Sequence, residues 1–210
     1  MKPRIPRIKI CGITNSSDLD FIQAFGADTV GINLVPTSKR NVRLEAAVEL
    51  VVQAKELGLQ TVAVLMNPTA EWLNQVCRAV QWDFIQLHGA ESPELLGDCP
   101  SINVIKAVSW SGRQDEEALV RRWDEWGRAQ TAKDRQSGLV ASTQRLVCFL
   151  VDAYSPAEGG GTGITVEWGL LNPRHPALEK WPVLLAGGLK TRNVCQAVIV
   201  FSFGGGDRAT

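Results

Sequence analysis

Two residues that can exchange protons stand at the ends of apolar, strand-like runs in this sequence. Cys11 follows the run Ile8–Ile10, and Asp152 follows the run Phe149–Val151. A thiolate can remove a proton and a carboxylic acid can donate one, so the pair could act as general base and general acid. Each residue also has a structural interpretation, Cys11 as a small buried apolar side chain and Asp152 as a capping carboxylate.

Two glycine pairs follow later strand-like runs and could bind a phosphate group through backbone N–H groups. Gly160 and Gly161 lie in the glycine-rich segment 158–163, and Gly187 and Gly188 follow the run ending at Ala186. Glycine lets the backbone approach a ligand closely, and barrels often hold phosphate after their last strands. Each segment also has a structural interpretation, a mobile loop for segment 158–163 and a tight turn for Gly187–Gly188.

Three further polar residues at strand ends allow more than one interpretation. Arg40 offers a guanidinium that suits a carboxylate or a phosphate, although an exposed basic turn would look the same. Lys106 either faces the site as a positive charge or pairs with a neighbouring carboxylate. His88 could hydrogen-bond or titrate near neutral pH, but the pattern favours a structural histidine.

Seven β-then-α units are predicted to position these residues. Most of the strands are nearly continuous runs of Val, Ile and Leu, which is typical of parallel strands buried on both faces. Such units form either an open doubly wound sheet or a closed (β/α)8 TIM-type barrel. Polar residues at the ends of most strands favour the α/β barrel, because they would all face one mouth. The predicted strands are Ile8–Cys11, Thr29–Leu34, Thr61–Met66, Phe84–His88, Asn103–Val108, Leu146–Asp152 and Val183–Ala186.

A single barrel domain over residues 1–210 is expected, because the length fits one sizeable core and no linker divides the sequence. Residues 110–145 are predicted to be a long surface insertion between strands five and six. It would contain a charged helix at Asp115–Trp126 and then a polar tract at Ala129–Thr143. Residues 199–210 form an atypical, glycine-containing tail.

The composition restricts the function classes. Lys and Arg number 22, as do Asp and Glu, so the zero net charge predicts no general attraction to nucleic acid or to an acidic membrane. Five scattered cysteines without a C-x-x-C pair argue against a disulfide framework or a structural zinc, and favour the cytoplasm. No metal-binding, nucleophile-elbow, P-loop or dinucleotide motif occurs, which leaves proton transfer on a small phosphorylated substrate.

Eight short motifs occur in a fixed order over residues 8–198, and together they resemble the phosphoribosylanthranilate isomerase family of tryptophan biosynthesis. The resemblance implies a cofactor-free, metal-free Amadori rearrangement of a small phosphorylated aminosugar by a monomer or homodimer. The motifs are Lys9–Thr14, Gly26–Asp28, Ser38 with Arg40, Gln86–Gly89, Val104–Ala107, Asp152, Gly160–Gly163 and Leu185–Leu189.

The resemblance also implies a role for each site residue. Asp152 would protonate the furanose ring oxygen, and Cys11 would remove the C2′ proton. Arg40 would bind the anthranilate carboxylate. The pair Gly187–Gly188 would hold the phosphate, and the pair Gly160–Gly161 would make further substrate contacts.

The sequence departs from the family pattern at two places. Asn33 stands where the family usually has an aromatic residue. Residues 189–210 are too few for the family's helix seven, strand eight and last helix, since one βα unit takes about 30 residues. The eighth βα unit is therefore expected to be missing or abnormal. A deletion or a frameshift near residue 198 would explain this, and the alternative is that Ile199–Phe203 serves as a substitute strand.

Two alternatives to an active isomerase stay open at this point. One is an inactive or weakly phosphate-binding remnant that lacks strand eight. The other is a different phosphate-handling barrel, such as a ribulose-phosphate or indole-glycerol-phosphate enzyme, for which different strand-end residues would be expected.

Overall fold

A computed structural model of the protein describes residues 4–97, 99–110, 113–137, 145–152 and 176–194. Seven parallel strands form one sheet in sequential order. All seven predicted strands are present, with bounds that differ from the predicted ones by at most one residue. They are β1 (Lys9–Cys11), β2 (Thr29–Asn33), β3 (Gln60–Leu65), β4 (Phe84–Leu87), β5 (Asn103–Ser109), β6 (Arg145–Asp152) and β7 (Val183–Leu185).

Helices connect the strands, and a local sequence signal marks one end of the second helix and one end of the third. The Thr69 side chain accepts a hydrogen bond from the Trp72 backbone N–H and so caps the third helix. Gly58, with φ of +75°, follows the second helix in the left-handed conformation that helix ends favour. None of the described helices is both long enough and apolar enough to cross a membrane. The helices are α1 (Ser17–Ala24), α2 (Leu44–Glu56), α3 (Ala70–Ala79), α4 (Gln114–Ser137) and α5 (Pro176–Glu179), with a 3₁₀ helix at Pro93–Leu96.

Alternate residues of the strands point to opposite faces of the sheet and build two apolar clusters. The outer cluster, which includes Ile32, Leu65 and Ile85, packs under the helices. The inner cluster fills the concave side of the sheet and includes Phe84, Ile105, Ala107, Cys148 and Leu150. Sequential parallel strands with helices outside and a separate core inside form a (β/α)8-type barrel, of which the described residues contribute seven strands.

The connection between β5 and β6 differs from its prediction. Helix α4 continues to Ser137, beyond its predicted end at Trp126, so residues 129–137 of the polar tract are helical. Val120 and Trp123 are fully buried and anchor this helix on the core. Packing of that narrow apolar stripe stabilises a helix whose remaining surface is polar. Residues 138–144 and the atypical tail 199–210 lie outside the described residues.

Candidate active site

Cys11 is the last residue of β1 and lies at the carboxyl end of the sheet. Its side chain is half-buried and packs closely against the neighbouring strand. A Cβ atom at Gly31 would lie only 3.0 Å from the Cys11 Sγ, so glycine at this position of β2 makes room for the thiol. The backbone N–H of Gly12 donates to the Gly31 carbonyl at 2.7 Å and fixes the turn that follows the thiol.

Arg40 lies directly beside the thiol-bearing strand. Its Nη1 donates to the Cys11 carbonyl at 2.8 Å. Gly12 has φ of +84°, and a Cβ atom there would lie 2.6–2.7 Å from the Arg40 side chain, so the guanidinium crosses this glycine closely. The Ser38 hydroxyl accepts from the Arg40 backbone N–H at 3.2 Å and from Asn33 Nδ2 at 3.0 Å. Asn33, the departure from the family pattern, thus helps to hold the loop that carries Arg40.

Asp152 is the last residue of β6, and its carboxylate contacts a histidine. Asp152 Oδ2 lies 3.2 Å from His88 Nε2, and the two side chains are 14% and 22% exposed. His88 directly follows β4. The favoured interpretation of His88 as a purely structural residue therefore overlooked its contact with the candidate acid.

Two residues to which the sequence motifs assign no role, Lys9 and Gln86, connect this pair to β1. Gln86 Nε2 lies 2.8 Å from His88 Nδ1, and Gln86 Oε1 accepts from Lys9 Nζ at 2.6 Å. Gln86 is almost completely buried. The signal that could have identified them is the two-residue period of strands, which places Lys9 on the face of Cys11 and Gln86 on the face of His88.

Lys106 lies on the opposite side of the sheet from the candidate site. Its Nζ lies 2.7 Å from Glu91 Oε2, with both side chains at most 1% exposed. It also donates to the carbonyls of Leu87 at 3.0 Å and Gly89 at 2.6 Å. Burial lowers the pKa of the Lys106 ammonium below its usual range, and the Glu91 charge partly offsets this effect. The interpretation of Lys106 as a structural ion-pair partner is confirmed.

The glycine pair after β7 forms a tight turn. Gly187 and Gly188 have φ of +83° and +61°, which favours glycine at both positions. Asn193 holds the turn, because its Nδ2 donates to the Gly188 carbonyl at 2.9 Å and its Oδ1 accepts from the Lys190 N–H at 2.6 Å. The pair Gly160–Gly161 lies outside the described residues, so phosphate binding by both pairs stays a prediction.

The geometry therefore gathers a thiol with a neighbouring guanidinium at the end of β1, and a carboxyl group with its histidine at the end of β6. Carboxyl ends of barrel strands share one mouth, where barrel enzymes hold their reacting groups. A thiol and a carboxyl group there can move protons on a bound substrate without a covalent intermediate.

Comparison with known proteins identifies the family to which this sequence is similar. The family model for N-(5′-phosphoribosyl)anthranilate isomerase matches residues 8–205. The N-(5′-phosphoribosyl)anthranilate isomerase of Paracoccus denitrificans is 36% identical over 197 residues, which cover 91% of this chain and 80% of that protein.

Solved structures agree with the sequence comparison. The crystal structure of phosphoribosyl anthranilate isomerase from Thermotoga maritima has a TM-score of 0.70 and 30% identity, covering 94% of this chain and 84% of the other. A phosphoribosyl anthranilate isomerase in complex with reduced 1-(o-carboxyphenylamino)-1-deoxyribulose 5-phosphate has a TM-score of 0.67 and 29% identity, with the same coverage. The chain belongs to the N-(5′-phosphoribosyl)anthranilate isomerase family.

Proposed function

We propose that this protein catalyses the Amadori rearrangement of N-(5-phosphoribosyl)anthranilate to 1-(2-carboxyphenylamino)-1-deoxyribulose 5-phosphate, a step of tryptophan biosynthesis. The observation that carries the proposal is the placement of Cys11 and Asp152 at the carboxyl ends of two strands of one barrel sheet, in a chain of this family. The reaction converts an aminoaldose to an aminoketose, so it requires proton addition and proton removal but no external oxidant.

In the first step, Asp152 acts as the general acid. Its carboxylic acid donates a proton to the furanose ring oxygen while the bond from that oxygen to C1′ breaks. The anthranilate nitrogen supplies the electron pair that forms the C1′–N double bond, so the ring opens to an iminium ion. The contact with His88 Nε2 stabilises the carboxylate that remains on Asp152.

In the second step, Cys11 acts as the general base. Its thiolate removes the C2′ proton, and the released electron pair forms the C1′–C2′ double bond while the iminium nitrogen becomes neutral. The resulting enolamine gains a proton at C1′ and loses the one on its C2′ hydroxyl, which yields the ketone. The space above Gly31 allows the thiol to remain on the inner face of the sheet.

Binding of the two substrate anions is assigned to the groups around these residues. A guanidinium has five N–H donors, so the bond from Arg40 to the Cys11 carbonyl leaves donors for the anthranilate carboxylate. The turn at Gly187–Gly188, with the predicted contribution of Gly160–Gly161, would hold the phosphate through backbone N–H groups.

We also place the enzyme in the cytoplasm. Cys11, Cys77, Cys99 and Cys148 form no disulfide in the described part of the chain. Free thiols persist in reducing compartments, which supports this location.

The experiment that tests the proposal is steady-state kinetics with phosphoribosylanthranilate, whose anthranilate fluorescence reports consumption. We expect Cys11→Ala and Asp152→Asn each to lower kcat by about 10²–10⁴-fold, the usual contribution of a general acid or base. Cys77→Ala is the matched control, because this cysteine lies on α3 away from the sheet mouth, and it should retain turnover. Near-normal turnover in either active-site variant would refute the assignment of that residue.

A further inference from the structure

We infer that Lys9, Gln86 and His88 form a polarised hydrogen-bond network that fixes the tautomer of His88 and so selects the oxygen of Asp152 that carries the reacting proton. The role given to Asp152 rests on the proposed function, whereas the positions of the hydrogens follow from the geometry alone.

The network begins at Lys9, which fixes the orientation of the Gln86 amide. A lysine ammonium can only donate hydrogen bonds, and Lys9 Nζ lies 2.6 Å from Gln86 Oε1. The reversed amide would place its NH₂ group against the ammonium, with two donors facing each other at that distance. Gln86 is 1% exposed, so water is not at hand to relieve such a contact. The amide oxygen therefore faces Lys9 and the amide nitrogen faces His88.

The oriented amide in turn determines the state of the imidazole. Gln86 Nε2 is a donor and lies 2.8 Å from His88 Nδ1, so Nδ1 must present its lone pair. The Nδ1–H tautomer and the imidazolium ion would both set a donor against the amide NH₂ group. His88 is thereby held as the neutral imidazole that carries its single hydrogen on Nε2.

This tautomer decides how Asp152 is used. The Nε2–H group of His88 points at Asp152 Oδ2 across 3.2 Å and donates to it. Because Nε2 already carries its hydrogen, it cannot accept a proton from Oδ2. The acid form of Asp152 therefore holds its proton on Oδ1, and Oδ1 is the atom that donates to the substrate. His88 is a positioning residue in this scheme, because it neither gives nor takes the reacting proton.

Nitrogen NMR of ¹⁵N-histidine-labelled protein tests the tautomer without any need for turnover. The chain contains two histidines, so a His175→Asn variant assigns the signals of His88. At pH 8 we expect a hydrogen on Nε2 of His88 and none on Nδ1. In Gln86→Glu the carboxylate accepts from both Lys9 and His88, so a hydrogen should appear on Nδ1.

A second variant guards against misfolding of Gln86→Glu, which alters a buried residue. Lys9→Met changes a partly exposed residue and frees the amide to rotate, so the signals of His88 should move toward an average of the two tautomers. Averaged tautomers in the unmodified protein would overturn the inference. So would a hydrogen that stays on Nε2 alone in both folded variants.

Kinetics of two His88 variants test the positioning role. Glutamine can offer an amide N–H to Asp152, whereas leucine cannot. We expect His88→Leu to lower kcat about 10–100-fold with KM changed less than about twofold, the effect of losing one hydrogen bond to a charged group. His88→Gln should recover most of that loss.

The outcomes separate this inference from the proposed function. A His88→Leu variant as active as the unmodified enzyme would overturn the positioning role and leave the isomerase assignment intact. Equal losses in His88→Leu and His88→Gln would also overturn it, because His88 would then transfer the proton itself. Absence of turnover in the unmodified chain would refute the proposed function, while the NMR result would still decide the tautomer.

Discussion

The buried ion pair between Lys106 and Glu91 provides a prediction whose size follows from the structure. The perturbation is Lys106→Met, which keeps the unbranched chain as far as Cε but removes the charged Nζ. Glu91 would then remain buried without its cation, although it would still accept from the backbone N–H of Asn67 at 2.7 Å and of Gly89 at 2.9 Å. The carbonyls of Leu87 and Gly89 would also lose their donor.

The expected cost is large compared with total stability. Removal of one partner of a buried pair typically costs about 3–5 kcal/mol, because the other charge stays buried and uncompensated. A domain is stable by only about 5–15 kcal/mol, so the variant should lose a large fraction of its stability. The additional substitution Glu91→Gln removes the orphaned charge while its amide oxygen still accepts from Asn67 and Gly89. The double variant should therefore recover about half or more of the loss, since a neutral replacement of such a pair is often nearly neutral in stability.

Urea unfolding of the two single variants and the double variant measures this coupling as a double-mutant cycle. The matched control is Arg121→Met, which breaks the exposed pair with Glu117 on α4 at 3.2 Å. This control should lose less than about 0.5 kcal/mol. The reasoning is wrong if Lys106→Met costs less than about 1 kcal/mol, or if the double variant is as unstable as the sum of the single variants.

Two further predictions concern Gly12 and Cys148. Gly12→Ala should raise KM and lower the melting temperature more than Gly26→Ala does. Both glycines have positive φ (+84° and +81°), but only a Cβ atom at position 12 would contact Arg40. Equal effects of the two substitutions on KM and on the melting temperature would contradict a role for Arg40 in binding. Burial raises the pKa of the Cys148 thiol from 9.0 to about 12, so the folded state keeps a proton that the unfolded state releases. Relative to Cys148→Ala, the free energy of unfolding should therefore fall by about 1.4 kcal/mol per pH unit as pH rises from 9 toward 12. Parallel curves of unfolding free energy against pH for the two proteins would contradict a raised pKa of the Cys148 thiol.

The strands could be predicted because short local sequence patterns are enough to mark them. Runs of β-branched and leucine residues, each followed within a few residues by a turn or a helix start, mark β1 to β7 to within one residue. Helix α4 was harder, because its polar second half carries no helical stripe of its own. Burial of Val120 and Trp123 stabilises its first half, and the helix then continues to Ser137.

The sequence also pointed to Cys11 and Asp152 as the candidate acid–base pair, but the contacts around them could not be predicted. The two-residue period of strands was available, and it would have separated Lys106, between the inner residues Ile105 and Ala107, from the candidate site. Two contacts depend on how segments that are distant in the sequence approach each other: the pairing of Lys106 with Glu91, which follows β4, and the link that Gln86 makes between Lys9 and His88. No local pattern encodes those distances.

The most direct test of the central claim is the rate at which the purified chain isomerises phosphoribosylanthranilate, measured beside its Cys11→Ala and Asp152→Asn variants. We expect steady conversion to the aminoketose by the unmodified protein and near-complete loss in both variants. A folded, unmodified chain that binds the substrate without converting it would contradict the claim and favour a non-catalytic member of the family. Conversion that survives in either variant would contradict the roles assigned to Cys11 and Asp152.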